Sequence, residues 1–264
     1  MRVIVTADIH YGVGNNQEII KAFAGKLCAT KADVLILAGD TFAIEQKLLV
    51  ECLYLFDKFK GPKLFVAGNH DLWTTKGNSL EVYDNILPKL TRRCGFHYLD
   101  QSPYIYKGIG FVGNIGWYDY SFKDLSIPIP EKYYTEKQWL GVVVWNDRHY
   151  VKLGMSDQEF VNRLNKKLKN HLMKVSSRKI HSIICVTHCL PFKELLPNPI
   201  TSLDKYLAAF SGSAKLGETI LKFTKVKYVF CGHTHQKREA KIGNITCVNI
   251  GSDYLRKRYE MIDI

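Results

Sequence analysis

The chain is poor in acidic residues: 25 Asp and Glu stand against 37 Lys and Arg in 264 residues, a formal net charge of +12. It lacks any apolar run near the ~20 residues of a membrane span. The first apolar run stops at Asp8, before a signal-peptide hydrophobic region could form, so a soluble, cytoplasmic protein is expected. Its seven cysteines (28, 52, 94, 185, 189, 231 and 247) are odd in number and form no C-x-x-C pair. They are expected to be reduced thiols, mostly filling the core, which argues against a disulfide scaffold and a Cys-rich structural zinc site. Nineteen Gly and eight Pro are too few for collagen, and a hydrophobic share of 46% is too high for disorder. Repeats, low-complexity tracts and Gly/Ser linkers are missing too, so one domain over 1–264 is the simplest organisation. The positive excess alone leaves nucleic acid, a membrane surface and phosphorylated small molecules open as partners.

What is present is an alternation of short apolar runs with amphipathic stretches. Strand-like runs at 3–7, 34–38 and 63–67 alternate with helical periodicity over 17–29 and 46–59, a βαβαβ pattern that calls for a largely parallel sheet. Further strands are expected at 109–113, 180–187, 225–231, 245–250 and 259–262, with helices near 79–92, 157–175 and 215–223. The strand-rich second half predicts a mixed, two-sheet α/β sandwich. Residues 114–158 break the pattern, packing Trp117, Tyr118, Tyr120, Phe122, Tyr133, Tyr134, Trp139 and Trp145 among prolines and charges with no clean period. This stretch reads as a long insertion, either a lid or substrate wall or an aromatic cover for a sheet.

Polar residues collect where the apolar runs end. The run at 3–7 leads into Asp8-Ile9-His10, the run at 34–38 into Gly39-Asp40, and the run at 64–67 into Gly68-Asn69-His70-Asp71. The run at 183–187 leads into His188, and that at 228–231 into Gly232-His233-Thr234-His235. The carboxyl edges of strands in an open α/β sheet line the crevice where ligands bind, so these side chains should converge. Carboxylate, imidazole and amide form a mixed N/O donor set suited to Zn, Mn, Fe or similar ions. At an extended strand end, positions i and i+2 point the same way, so Asp8 and His10 can share one ion, and His233 and His235 can enter one site. Asp8, His10, Asp40, Asn69, His188, His233 and His235 are seven candidate ligands, more than one ion uses but suited to two ions sharing a carboxylate. His97, His149, His171 and His181 lack such a setting and are taken as ordinary core or surface histidines.

The ordered series D-x-H, G-D, G-N-H-D, H, G-H-x-H, spread over residues 8–235, resembles the calcineurin-like metallophosphoesterase superfamily, in its prokaryotic and phage members. The resemblance implies a four-layer αββα sandwich with Asp8, His10, Asp40 and His235 around one metal. Asp40, Asn69, His188 and His233 would then surround a second, with Asp40 bridging. The cofactors would be two divalent ions from among Mn, Fe, Zn, Co and Ni, with Mn favoured. A bridging hydroxide would attack the phosphoester, and His70 would be the catalytic general acid or phosphate stabiliser, a role suited to an imidazole pKa of about 6.5. Asp71 is a candidate to orient His70, and Cys189 either approaches the second metal or packs behind it.

The implied activity is a metal-dependent phosphatase or phosphodiesterase, with a phosphorylated small molecule or nucleotide as substrate and no membrane partner. Residues 39–45 and 68–71 depart from the G-D-x-x-D-R-G and G-N-H-E of protein Ser/Thr phosphatases, whose phosphate-gripping Arg is missing here. Trp117 and Tyr118 are candidate walls of the substrate pocket, and Arg148 is a candidate replacement for the missing clamp. Seven basic residues lie between Arg163 and Lys179, on the outer face of an amphipathic stretch with no Asp or Glu from 160 to 193. That face is either simply solvated or a nucleic-acid contact, which keeps a DNA or RNA nuclease as the second reading. A non-catalytic protein-binding scaffold of the same fold is the third; degraded ligands would be its mark, and none is degraded.

Overall fold

The computed structural model describes residues 1–42 and 46–264. Residues 43–45, where protein phosphatases continue the G-D-x-x-D-R-G signature, lie outside the described residues. The strands are β1 (Arg2–Thr6), β2 (Val34–Ala38), β3 (Lys63–Val66), β4 (Phe96–Tyr98), β5 (Tyr104–Tyr106), β6 (Ile109–Asn114), β7 (Gln138–Trp139), β8 (Val143–Val144), β9 (Ser182–Thr187), β10 (Val226–Cys231), β11 (Arg238–Ile242), β12 (Ile245–Asn249) and β13 (Tyr259–Asp263). One sheet has the order β13-β1-β2-β3-β4, the other β11-β12-β10-β9-β6-β5, and β7 with β8 forms a separate hairpin. Strands β1 to β4 run parallel, with β13 antiparallel at the edge. In the second sheet β12, β10, β9 and β6 are parallel, with antiparallel β11 and β5 outside them.

The period of two along each strand explains why the sheets stack. Val3, Val5, Val34, Ile36, Leu64 and Val66 face Phe111, Ile184, Val186, Phe230 and Val248 in one buried cluster between the sheets. The intervening Ile4, Leu35, Leu37 and Phe65 face outward into a second cluster, beneath the helices Gln17–Ala29 and Gln46–Tyr54. Ile183, Cys185, Val229 and Cys231 face a third, beneath the helices Asp157–Ser176 and Ala214–Leu221. The result is a mixed α/β, four-layer αββα arrangement, as expected. Strands buried on both faces read as continuous apolar runs, which is how they stand in the sequence.

The helix Asp157–Ser176 starts on a capping box, in which the Ser156 side chain accepts from the Glu159 N–H while Glu159 accepts from the Ser156 N–H. It buries Phe160, Leu164, Leu168, Leu172 and Val175, the stripe expected from its spacing. On its outer face Arg163 pairs with Asp84 at 2.6 Å. All seven cysteines are free and six are buried. No helix among the described residues is long and apolar enough to cross a membrane.

The stretch between β6 and the helix Asp157–Ser176 is pinned by a buried carboxylate. Asp157 accepts from the Trp117 indole N–H at 2.7 Å, the Lys137 ammonium at 2.7 Å and the Tyr120 hydroxyl. Trp117 and Tyr120 are both essentially inaccessible to solvent. Asp157→Ala leaves a buried indole N–H and hydroxyl without an acceptor, and is expected to cost about 3 kcal/mol. The check is urea unfolding, where an unshifted midpoint would contradict this account of the insertion.

Candidate metal centre

Parallel pairing brings the carboxyl ends of the ligand-bearing strands to one edge. Thr6 sits opposite Leu37, Ala38 opposite Val66, and Val186 opposite Phe230. Beyond the strand ends the backbone turns through the left-handed region at Asp8, His10, Asp40, His233 and His235, with φ between 48° and 78°. These are half of the ten non-glycine residues with positive φ among those described. Such conformations cost of order 1 kcal/mol or more each and persist where the surroundings over-determine them. Gly68 and Gly232 make the approach possible. A Cβ on Gly68 would lie 2.1 Å from Asp40 Oδ1, and one on Gly232 would lie 2.5 Å from Asp8 Oδ2.

All seven predicted ligand residues, together with His70, meet at this edge. Asp8, His10 and His235 form one group of donor atoms, Asp40, His188 and His233 another, and His10, Asp40 and His70 a third that links them. His10 Nε2 lies 3.0 Å from His235 Nε2, and His235 Nε2 lies 3.8 Å from Asp8 Oδ1. Asp40 Oδ2 is 3.3 Å from His188 Nε2, 3.7 Å from His10 Nε2 and 3.8 Å from His70 Nε2. Asn69 Oδ1 is 3.0 Å from His233 Nδ1 and 3.3 Å from His188 Nε2.

Hydrogen bonds on the far side of the rings show what faces inward. The His188 Nδ1–H donates to the Ala38 carbonyl and the His233 Nε2–H to the Phe210 carbonyl, each at 3.0 Å. A neutral ring then presents an unprotonated nitrogen to the centre, and the two inward nitrogens are 3.2 Å apart. They face the Asp40 carboxylate and the Asn69 amide oxygen, so with neutral rings this side of the pocket gathers acceptors without donors. Asp8 Oδ2 and His10 Nδ1 are buried without a hydrogen-bond partner. A divalent cation satisfies such a set, and backbone-anchored imidazoles are the usual arrangement of metal-binding histidines.

Titration shows the centre's demand for positive charge, which a proton on the inward His188 nitrogen meets where no cation stands. Burial pushes the Asp40 carboxyl up, but His188 and His70 beside it outweigh this and hold it well below the usual carboxylate range. Burial would lower His188, yet Asp40 and Asp8 keep it at about 9, while burial and the neighbouring His188 push His233 down to about 3. Positive charge is thus retained among the two carboxylates even where burial opposes it.

A cavity of about 760 Å³ opens on this cluster, within the range of small-molecule sites. His70 reaches its wall, with its ring stacked on Trp73 at 3.7 Å between centroids and 21° between planes. Trp73 is stacked in turn on Tyr150. The aromatic wall consists of Trp73, Trp145 and Tyr254 rather than the residues expected from the sequence. Trp117 and Tyr118 are fully buried and stacked on each other at 4.7 Å, so neither borders the cavity. Arg148 also lies off it, donating to the Glu136 carbonyl on the exposed surface. Asp71 does not orient His70: its carboxylate accepts from the backbone N–H groups of Thr41 and Gly68, each at 2.8 Å, tying two ligand loops together. Cys189 is fully buried and stands outside the clustered donors.

Sequence reasoning missed Asp147. Its buried carboxylate accepts from the Asn69 amide at 3.0 Å and the Trp73 indole at 2.6 Å through Oδ1. Through Oδ2 it accepts from the Tyr118 hydroxyl and the Trp145 indole, both at 2.8 Å. The bond to the Asn69 Nδ2–H turns that amide so that its oxygen faces His188 and His233. The available signal was one acidic residue directly after Trp145-Asn146 in an aromatic stretch, which was not enough to distinguish it from a surface charge.

Fold and site together define a phosphoric ester hydrolase with a candidate metal-binding Asp/His cluster. The sequence then names the group, since residues 1–237 match the calcineurin-like phosphoesterases and the chain belongs to that family. Among solved structures, its fold is similar to that of a phosphopantetheinyl hydrolase from Mycobacterium tuberculosis, with a TM-score of 0.78 and 16% identity over 96% of this chain and 90% of that one. It is also similar to a dimetal phosphatase from Danio rerio, with a TM-score of 0.60 and 12% identity over 97% of this chain and 88% of that one. No curated protein matches the chain in sequence.

Asp147→Asn keeps the size of the side chain but puts an amide where an oxygen receives donors. The expected result is a ten- to hundredfold weaker affinity for Mn²⁺, the usual effect of losing a partner that orients a ligand. Isothermal titration of the metal-free protein checks this, and an unchanged affinity would remove Asp147 from the support of the site.

Proposed function

We propose that the protein is a dinuclear metal-dependent phosphoesterase acting on a phosphomonoester or phosphodiester of a small molecule, a nucleotide included. The observation that carries this reading is the cluster of carboxylate, imidazole and amide ligand atoms, whose two groups are joined through Asp40 at the floor of a cavity. Asp8, His10, Asp40 and His235 would hold one ion, and Asp40, Asn69, His188 and His233 the other. Their donor chemistry suits Mn, Fe, Zn, Co or Ni, with Mn favoured for its tolerance of oxygen ligands. When bound, such ions lower the pKa of water to give a nucleophile at neutral pH and neutralise charge building on the phosphate oxygens.

The chain's own groups do the rest. Asp147 holds the Asn69 oxygen toward the second group, and the Ala38 and Phe210 carbonyls fix the tautomers of His188 and His233. His70 is anchored through its backbone N–H, which donates to Asp40 Oδ1 at 2.9 Å, and its ring plane is set by Trp73. From the cavity wall it is placed to donate a proton to the leaving oxygen or to stabilise charge on the phosphoryl group. The reading treats residues 1–264 as one catalytic unit, with the insertion at about 114–158 supplying the wall and Asp147. It places the protein in the cytoplasm, where a reducing environment suits seven free thiols.

The test is hydrolysis of 4-nitrophenyl phosphate and its phenyl diester by protein of verified metal content. His70→Gln is expected to keep its metal and lose about 10²- to 10⁴-fold in kcat. Asp40→Asn is expected to weaken both ions at once. No hydrolysis with any divalent ion would overturn the proposal, and loss of metal in His70→Gln would overturn the role given to His70.

A further inference from the structure

The cavity is chemically lopsided. Its floor is the Asp/His cluster, while Val143 and Val144 from β8 with Leu196, Ile200, Leu203 and Leu207 give its wall a large aliphatic share beside the aromatic rings and the amides of Asn146 and Asn198. Two of these side chains stand in water: Ile200 is 90% exposed and Leu203 40%. Exposed aliphatic groups gathered around a polar floor signal a ligand that covers them. The second observation is electrostatic. Among the described residues that line the cavity there is no Lys or Arg, although the chain carries 37 of them. The one carboxylate of the outer wall, Asp204, is occupied by the backbone N–H groups of Ile200 and Thr201, at 3.0 and 2.8 Å.

A nucleoside polyphosphate or a nucleic acid strand brings further phosphates, whose binding outside the metal centre draws chiefly on cationic partners. The cavity offers none and would set Asp204 against them. The basic face of the helix Asp157–Ser176 does not supply the lack, because no residue of that helix borders the cavity. We infer that the substrate carries a single phosphoester group whose organic part is an uncharged, aliphatic alcohol, seated against Val143, Val144, Ile200, Leu203 and Leu207. This rests on the proposed phosphoesterase reading and narrows its substrate, against nucleoside polyphosphates and nucleic acids.

The experiment compares n-alkyl phosphates from ethyl to octyl, each also as its methyl diester, with ATP and a single-stranded oligonucleotide on metal-loaded protein. The expected kcat/KM rises roughly fourfold per methylene, the worth of one buried CH₂ group, until the wall is covered. Ile200→Asn combined with Leu203→Asn is expected to reduce the octyl-to-ethyl ratio about tenfold. A flat alkyl series, or faster turnover of ATP or the oligonucleotide, overturns the inference. A second readout needs no catalysis: octan-1-ol added to protein kept metal-free with a chelator is expected to change the fluorescence of Trp73 and Trp145 saturably, and more weakly in the double variant. If no ester is hydrolysed, the phosphoesterase reading falls, and the octanol titration alone decides whether the cavity takes an aliphatic group. Saturable binding weakened by the double variant upholds that, and its absence ends it.

Discussion

The structure depends on a crowding of lone pairs. Around Asp40 lie inward-facing imidazole nitrogens of His10, His70 and His188 within 3.8 Å, and the Asn69 oxygen sits between His188 and His233. Neutral rings leave the inward nitrogens of His188 and His233 facing these acceptors, because the donors of those two rings are spent on backbone carbonyls behind them. Only positive charge at the centre resolves the conflict, as shared protons or as metal ions. The fold holds the groups there against this repulsion through five left-handed turns and two glycines whose missing Cβ atoms leave room for the carboxylates. That much local cost is sustainable because the two sheets behind it bury continuous apolar strands on both faces.

The centre and the aromatic insertion are one construction. Asp147 receives two indole N–H groups, a phenol and an amide, and so connects Trp73, beside His70, with Trp145, beside His233, and with Asn69 between them. Buried carboxylates are stable when every lone-pair direction finds a donor, and here four do. The cavity wall and the ligand geometry therefore cannot shift independently: a displacement of Trp145 pulls on Asp147 Oδ2, in the same carboxylate whose Oδ1 holds Asn69. The tight core behind the wall, with Tyr118 against Phe210 and Phe210 stacked on Trp145, resists such a displacement.

How much of this could be read from the sequence follows from which contacts are local. The ligand series was legible because each candidate follows an apolar strand, and parallel strands deliver their carboxyl ends to one edge. The αββα layering was legible for the same reason, since doubly buried strands stand as unbroken apolar runs. Short edge strands were not. Tyr104–Tyr106 and Arg238–Ile242 gain their conformation from pairing with β6 and β12 rather than from their own pattern. The helix starting at Gln46 ends at Tyr54, earlier than its periodicity suggests, and the chain continues in turns. The cavity wall was misjudged because an aromatic residue looks the same in sequence whether it lines a pocket or supports one. What separates Trp117 from Trp145 is the carboxylate each indole reaches, Asp157 for one and Asp147 for the other, and only the first lies far along the chain.

The charge of the chain divides in the same way. Its positive excess is a property of the outer surface, where residues such as Arg163 pair with a neighbouring carboxylate. The cavity shares none of it: its described lining is acidic, imidazole, neutral polar or apolar, without Lys or Arg. Attraction of an anionic substrate must then come from the ions that the Asp/His cluster is built to accept, acting at the floor where their field is least screened. A field confined to the floor selects for one phosphate at one depth. The aliphatic wall above selects by area and shape, so recognition of the two ends of the substrate is separated in space and in physical origin.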